Sequence, residues 1–279
     1  MLRHAFSAGE RSLTAFRRGQ NSADQNHMPG GGFMKRIALL ALFILMLCAT
    51  AATAKKLVVA TDTNFPPFEF KDPQTGKHTG FDVELWSAIA REMGAEYTLQ
   101  PMDFNGIIPG LQSGQIDVGI AGMTIKPERT QVVDFSDPYY NAGLLILVRL
   151  DDTTTMDVTS LEGKIVATKL GTTSEDFAKR EAKAREVKLF PNNDAMFMEL
   201  LAGGADAVIF DSPVVSDFMR TAGKGKVKVV GPLYMGQAYG IGFPKGSELV
   251  GKTNAALKKL KDSGEYRELY MKWFGTEPK

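Results

Sequence analysis

Apolar and polar positions fall into blocks along this chain, and the period of the blocks switches repeatedly between that of a strand and that of a helix. Leu57 to Ala60 is a short apolar run of β-type residues ending in the polar Thr61 and Asp62, as in a buried strand whose end opens onto a site. Phe81 to Met93 places Val83, Leu85, Trp86, Ile89 and Ala90 at helical spacing, with Gly94 as the stop. Glu96 to Gln100 reads as a strand, Gly106 to Gln112 as a helix closed near Gly114, and Val118 to Ala121 as a strand. A second series starts at Lys164, with strand Ile165 to Thr168, helix Thr173 to Ala184, strand Val187 to Phe190, helix Asn193 to Ala202 and strand Ala207 to Phe210. Alternation of this kind implies βαβ units and a largely parallel sheet, so the expected class is α/β with one sheet per series.

Two further stretches tie the series together. Tyr139 to Leu150 carries Gly143 ahead of the apolar run Leu144 to Val148, and Gln237 to Phe243 matches it near the other end before the helical Leu249 to Leu260 and Tyr266 to Trp273. They read as two parallel crossovers, by which the chain leaves a first lobe and later returns to it. The first lobe is then discontinuous and the second is an insert.

Ahead of these blocks, Met1 to Phe33 has no sustained apolar period. Met34, Lys35 and Arg36, the apolar Ile37 to Leu47 and the small Ala51 to Ala54 follow in the order of a secretory signal, with a positive start, an apolar run of about 7 to 15 residues and an A-x-A-like cleavage point. A membrane anchor needs about 20 apolar residues, so cleavage after Ala54 and a periplasmic product are expected. An over-extended start codon and an unusual n-region both account for the residues before Met34. Cleavage removes Cys48, the only cysteine, and with it any disulfide or thiolate chemistry; a lipid anchor on Cys48 is disfavoured by the bulky Leu47 before it. It also removes six of the 33 basic and two of the 32 acidic residues, which leaves 27 against 30. That slight acidic excess excludes a nucleic-acid binder, whose domains carry a strong basic excess.

In parallel sheets ligands collect outside the carboxyl ends of the strands. Those ends supply Asp62 and Phe65, Phe104 in the loop Met102 to Gly106, the run Ala121, Gly122, Met123 and Thr124 ahead of Arg129, then Lys169 to Thr173, and Asp211 after Phe210. Each has a bland reading: Arg129 as a solvated arginine at a helix start marked by Lys126, Pro127 and Glu128, Asp211 as a helix N-cap, Phe65 and Phe104 as core, Asp62 and Lys169 as a structural salt bridge.

The stretches VVATDTNFPPFEF, GFDVELW, PMDFNGIIP, VVDFSDPYY and the ending KWFGTEPK raise these residues above that level, because from about Lys55 to Lys279 the chain resembles the glutamine-binding members of the periplasmic solute-binding proteins for polar amino acids. The resemblance implies a two-lobed periplasmic binding protein fold (type II), with 55–138 and 240–279 as the large lobe, 144–234 as the small lobe, and hinge strands at Tyr139 to Gly143 and Met235 to Tyr239. It implies that Arg129 and Thr124 take a ligand α-carboxylate, a fork suited to bidentate pairing, while Asp211 and the Gly122 carbonyl take the α-ammonium. Phe65 and Phe104 would flank the aliphatic stem, and Asp62 and Lys169 would read a side-chain amide. Phe210 stands where the family has a histidine beside the ligand, and Thr173 where it has a glycine. The implied partners are a free polar amino acid, glutamine first, and the permease of an ABC transporter, with the receptor a monomer.

Cyclohexadienyl dehydratases and glutamate-receptor-like sensor cores share this fold and are the rival readings. The only histidines are His4, His27 and His78, and there is no Ser/His/Asp arrangement, metal-spaced histidine cluster or Gly-rich phosphate loop. No enzyme activity and no cofactor are therefore expected.

Overall fold

The computed structural model describes residues 55–278; the export signal and its cleavage point lie outside them. The chain runs β1 (Leu57–Thr61), β2 (Asn64–Phe65), β3 (Glu69–Lys71), β4 (His78–Thr79), α1 (Phe81–Met93), β5 (Tyr97–Pro101), α2 (Phe104–Ser113), β6 (Val118–Gly119), α3 (Pro127–Thr130) and β7 (Val133–Phe135). It continues through β8 (Tyr140–Arg149), β9 (Ile165–Lys169), α4 (Thr173–Glu181), β10 (Glu186–Phe190), α5 (Asn193–Leu201), β11 (Ala207–Asp211), α6 (Ser212–Arg220), β12 (Val227–Tyr239), β13 (Gly242–Pro244), α7 (Leu249–Ser263) and α8 (Glu265–Phe274).

Helical spacing of apolar residues decides α1. Phe81, Leu85, Trp86, Ala88 and Ile89 form its buried face, and Gly94 closes it in the left-handed conformation at φ 62°. Helix α4 ends at Glu181, short of the expected Ala184, because Lys183 turns the chain at φ 45°. Strand β6 is likewise cut to two residues, since the backbone turns at Gly122, φ 52°.

The two series build two five-stranded sheets, in the orders β5-β1-β6-β13-β7 and β10-β9-β11-β8-β12. In the first, β1 is parallel to β5 and β6, and the late strand β13 joins antiparallel beside β6 and β7. In the second, β9 is parallel to β10 and β11, and β8 runs antiparallel to β11. This is the expected two-lobed α/β fold, with the first lobe built from both ends of the described chain.

The crossing strands correct one expectation. They are antiparallel, paired from Tyr140↔Tyr239 to Arg149↔Val227, because one carries the chain out of the first lobe and the other carries it back. Their ladder shifts register on both sides of Tyr234, and Met235 sits at φ 43°. The two backbones approach closely at Gly143, where a Cβ would lie 2.7 Å from Leu233 and 2.9 Å from the Tyr234 carbonyl oxygen. An aromatic cluster packs the crossing strands onto the first lobe: Tyr140 stacks on both Tyr239 and Tyr270, and Phe68 meets Tyr140, Tyr239 and Phe274. Ring pairs of this kind contribute about 0.5–1.5 kcal/mol each beyond their area, so the strands are anchored firmly on one side of the crossing.

Candidate functional site

The carboxyl ends of β1, β6, β9 and β11 converge between the lobes on a cavity lined by Phe65, Phe104, Gly122, Thr124, Arg129, Lys169, Thr172, Thr173 and Asp211. Its volume is about 10 Å³, roughly the space one water needs. The lobes are therefore closed, and a larger molecule enters only when they part. A hollow of about 730 Å³ lies behind the crossing strands, but its two cations are already engaged: Lys261 donates to the Pro138 carbonyl and Arg267 pairs with Glu277. The small closed cavity, where buried charges from both lobes converge, is the better candidate.

Arg129 enters from the first lobe. Pro127 starts the single turn α3, as the sequence suggested, but the guanidinium points inward and only 5 % of the residue is exposed. Nη1 donates to the Thr124 carbonyl and Nη2 to the Gly171 carbonyl of the other lobe, both at 3.0 Å, and the group lies 5.3 Å from the centre of the Phe104 ring. Burial lowers its pKa to about 10, so it stays cationic at neutral pH with unused donors.

Asp211 comes from the second lobe. It occupies the N-cap position of α6, yet its side chain makes no capping bond. Oδ1 accepts from the Ser174 hydroxyl at 3.2 Å and Oδ2 from the Tyr239 hydroxyl. Burial pushes its carboxyl up to about 6, against the pull of those hydrogen bonds and of Arg129. An acid and a guanidinium that face one cavity from different lobes, without bonding each other, suit a ligand that carries both charges.

Asp62 and Lys169 form the second charged pair. They come from different lobes, their side chains are 4 % and 1 % exposed, and the ammonium binds Asp62 Oδ2 directly while Asp62 Oδ1 accepts from the Asn64 N–H at 3.0 Å. Lys169 also lies 5.9 Å from the Phe65 ring centre.

Gly122 is required by its surroundings. At φ 52° a side chain is strained, and a Cβ would lie 2.4 Å from the Phe65 ring. Thr124 donates its hydroxyl to Gln237 of the returning strand at 2.7 Å. Phe104 is the first residue of α2 and not part of a loop.

Three residues singled out in the sequence lie outside the lining: Asp62, whose carboxylate is bound to the lining Lys169, Ala121 and Phe210. Ala121 is buried among Ile107, Leu111 and Met123. Phe210 faces away from the cavity and packs edge-on against Phe65 (centroids 5.9 Å) and Phe197 (6.4 Å); with Asp211 turned to the cavity, the period of two along β11 sends Phe210 the other way. It supports the wall from behind.

Thr172, inside the expected run Lys169 to Thr173 but given no role there, and several residues around the site add to the set. Thr172 caps α4 by accepting from the Glu175 N–H at 3.3 Å and donates to the Lys169 carbonyl at 2.7 Å; Thr172-x-x-Glu175 is a capping-box pattern legible in the sequence. Outside the cavity, Asn64 reaches across the cleft to α5, accepting from the Asn193 and Asp194 N–H groups at 2.8 and 3.2 Å and donating to Asp194 Oδ2 at 2.9 Å. Lys126 and Asp176 bridge the lobes on the other rim at 2.6 Å. These rim contacts exist only when the lobes are shut.

The chain is similar to known proteins over most of its length. The Arginine-binding extracellular protein ArtP of Bacillus subtilis is 34% identical over 249 residues, covering 86% of this chain and 96% of that protein. An ancestral arginine-binding protein, solved bound to glutamine, is 46% identical with a TM-score of 0.76, covering 79% of this chain and 98% of the other. The same kind of protein solved bound to arginine gives 46% and 0.75 over the same shares of the two chains. The model of the bacterial extracellular solute-binding proteins, family 3, matches residues 57–276, nearly all of the described chain, and the protein belongs to that family.

Proposed function

We propose that this protein captures a free polar L-amino acid, glutamine before others, by closing its lobes on it, and delivers it to the permease of an ABC transporter. The observation that carries the reading is the pair of buried charges Arg129 and Asp211, held by separate lobes and facing one cavity. Arg129 offers a planar fork to the α-carboxylate, and Asp211 with the Gly122 carbonyl takes the α-ammonium. A ligand held from both sides needs both lobes about it, so it shifts the population to a form closed around the ligand, with a wider cleft than the ligand-free closure. Rotation is assigned to Tyr139–Gly143 and Met235–Tyr239, which pair regularly from Tyr140↔Tyr239 to Ala142↔Gln237 and shift register between Gln237 and Tyr234, between a large lobe of 55–138 and 240–279 and a small lobe of 144–234. Export with cleavage after Ala54 and action as a monomer complete the proposal.

Glutamine is favoured by Asp62 and Lys169. A neutral amide satisfies both at once, its NH₂ donating to the carboxylate and its C=O accepting from the ammonium, whereas a guanidinium entering there meets a buried cation. Arginine is the second reading, supported by the names of the relatives and by Asp62 itself; it requires Lys169 to withdraw. The ancestral relative solved with either ligand supports a pocket of this kind admitting both. The relatives reported are named for amino-acid binding, which supports the receptor reading over the dehydratase reading.

A thermal-shift panel of the common amino acids is the test. A ligand at a thousand times its Kd stabilises by about 4 kcal/mol, and glutamine should give the largest shift; a larger response to arginine would reverse the choice, and no response to any amino acid would remove the reading. Binding should also depend on acid. The free carboxyl of Asp211 titrates near 6 because burial favours its neutral form, and only the anion pairs with an ammonium. Affinity should therefore be steady above that value and fall by up to about tenfold per pH unit below it, as titration calorimetry would show; Asp211→Asn should lose both the affinity and the acid dependence.

A further inference from the structure

One layer behind the cleft lies an acid pair that ligand capture does not use. Glu69 on β3 and Asp82 at the start of α1 are fully buried; the Asp82 N–H donates to the carbonyl of Phe68, next to Glu69, at 2.8 Å, and each carboxyl acts on the other electrostatically. Asp82 Oδ2 accepts from the Gly122 N–H at 2.9 Å and from the Tyr139 hydroxyl at 2.7 Å. Asp82 Oδ1 and both Glu69 oxygens have no donor among the described residues.

Two adjoining anions with three unmet oxygens are the most costly state such a site could adopt. A single proton relieves it, because a neutral Glu69 donates to Asp82 Oδ1 and satisfies both partners. Asp82 is the member that keeps its charge, since it has two donors and the N-terminus of α1, whereas Glu69 has neither. We propose that Glu69 is a protonated positioning residue, a carboxylic acid whose hydrogen bond to Asp82 holds the Gly122 turn at the cleft and the Tyr139 end of the outgoing crossing strand.

The surroundings agree. Burial first, then the charges of Asp82 and Asp62, drive the Glu69 carboxyl well above the usual range, and the one cation that opposes them, Lys169, is already engaged by Asp62. The tyrosines facing the pair have their hydroxyls committed: Tyr139 to Asp82, Tyr239 to Asp211 and Tyr266 to the Tyr139 carbonyl. Glu69 is also the β-partner of Phe65, the ring that the Gly122 turn packs against, so the pair holds the back of both wall residues.

The test uses ligand-free protein, so an error in the amino-acid assignment does not affect it. Glu69→Gln supplies a neutral donor of the same shape. Folded Glu69 keeps a proton that the unfolded chain releases above about 4.5; wild-type stability therefore falls as pH rises until the folded-state value is passed, and the variant lacks this loss. From about pH 5 upward, until the folded-state value is passed, the unfolding constant of the wild type should rise relative to Glu69→Gln by up to tenfold per unit, measured by denaturant titration at each pH. Parallel profiles would overturn the proposal, and so would failure of Glu69→Gln to fold, since a neutral donor is what the site is said to hold. Hydrogen exchange at the Gly122 amide reads the positioning: slow in wild type and Glu69→Gln, at least tenfold faster in Glu69→Ala. Unchanged exchange in Glu69→Ala would remove the positioning role.

Discussion

Arg129→Ala should weaken amino-acid capture by about a hundred- to a thousandfold, a loss of about 3 to 4 kcal/mol, while leaving the protein folded. The size follows from burial. In the closed form the ligand carboxylate is out of water, and removing one member of a hydrogen-bonded buried charge pair leaves the other uncompensated. The guanidinium is itself nearly inaccessible and its pKa is lowered by that burial, so the empty site already carries its desolvation cost and a ligand carboxylate recovers it. Folding should be nearly indifferent, because the substitution removes an unpaired cation along with its two bonds to the Thr124 and Gly171 carbonyls. Arg129→Lys should recover only part of the affinity, since an ammonium cannot reproduce the fork. Calorimetric titration with glutamine decides it: affinity within about threefold of wild type in Arg129→Ala would place the carboxylate elsewhere.

Much of this site could be read from the sequence because it follows strand ends. An apolar run that stops at a polar residue marks where a parallel strand opens, and Asp62, Lys169 and Asp211 each sit at such a stop. Helices with one apolar face and a glycine stop, such as α1 and α2, were located to within one or two residues. The failures are physical as well. β12 begins at Val227, ten residues before the stretch that drew attention, because Gly231 and Pro232 break its pattern and only pairing with β8 holds it extended. The antiparallel sense of the crossing is a property of the round trip, not of either segment. Asn64, Ser174 and Tyr239 matter through partners 28 to 130 positions away, and local periodicity carries no information about such pairs. Glu69 and Asp82 lie within two of the stretches that carry the family resemblance, but nothing in the sequence says that their carboxyls meet.

Lys169→Met should turn the preference of the pocket from glutamine toward arginine. The variant keeps the apolar stem and removes the ammonium, so Asp62 in a closed lobe pair becomes a buried carboxylate whose remaining bond is the Asn64 N–H. An orphaned buried charge of this kind costs about 3–5 kcal/mol, but the protein has an escape short of unfolding: the lobes open and water reaches Asp62. The ligand-free variant should therefore be more open, visible as a larger radius of gyration in solution scattering, with its thermal midpoint lowered far less than a rigid core would suffer. Glutamine then meets one partner where it had two and must close the lobes over an uncompensated anion, so its affinity should drop by about a hundredfold or more. Arginine brings the missing cation with it: its guanidinium occupies the space vacated by the ammonium and pairs with Asp62 through two parallel hydrogen bonds. The ratio of arginine to glutamine affinity should rise by at least about a hundredfold, roughly the 2.7 kcal/mol expected of one charge-assisted pair gained and one lost. If the ratio measured by calorimetry is the same in wild type and variant, Lys169 does not face the ligand side chain, and its bond to Asp62 serves only to hold the lobes together.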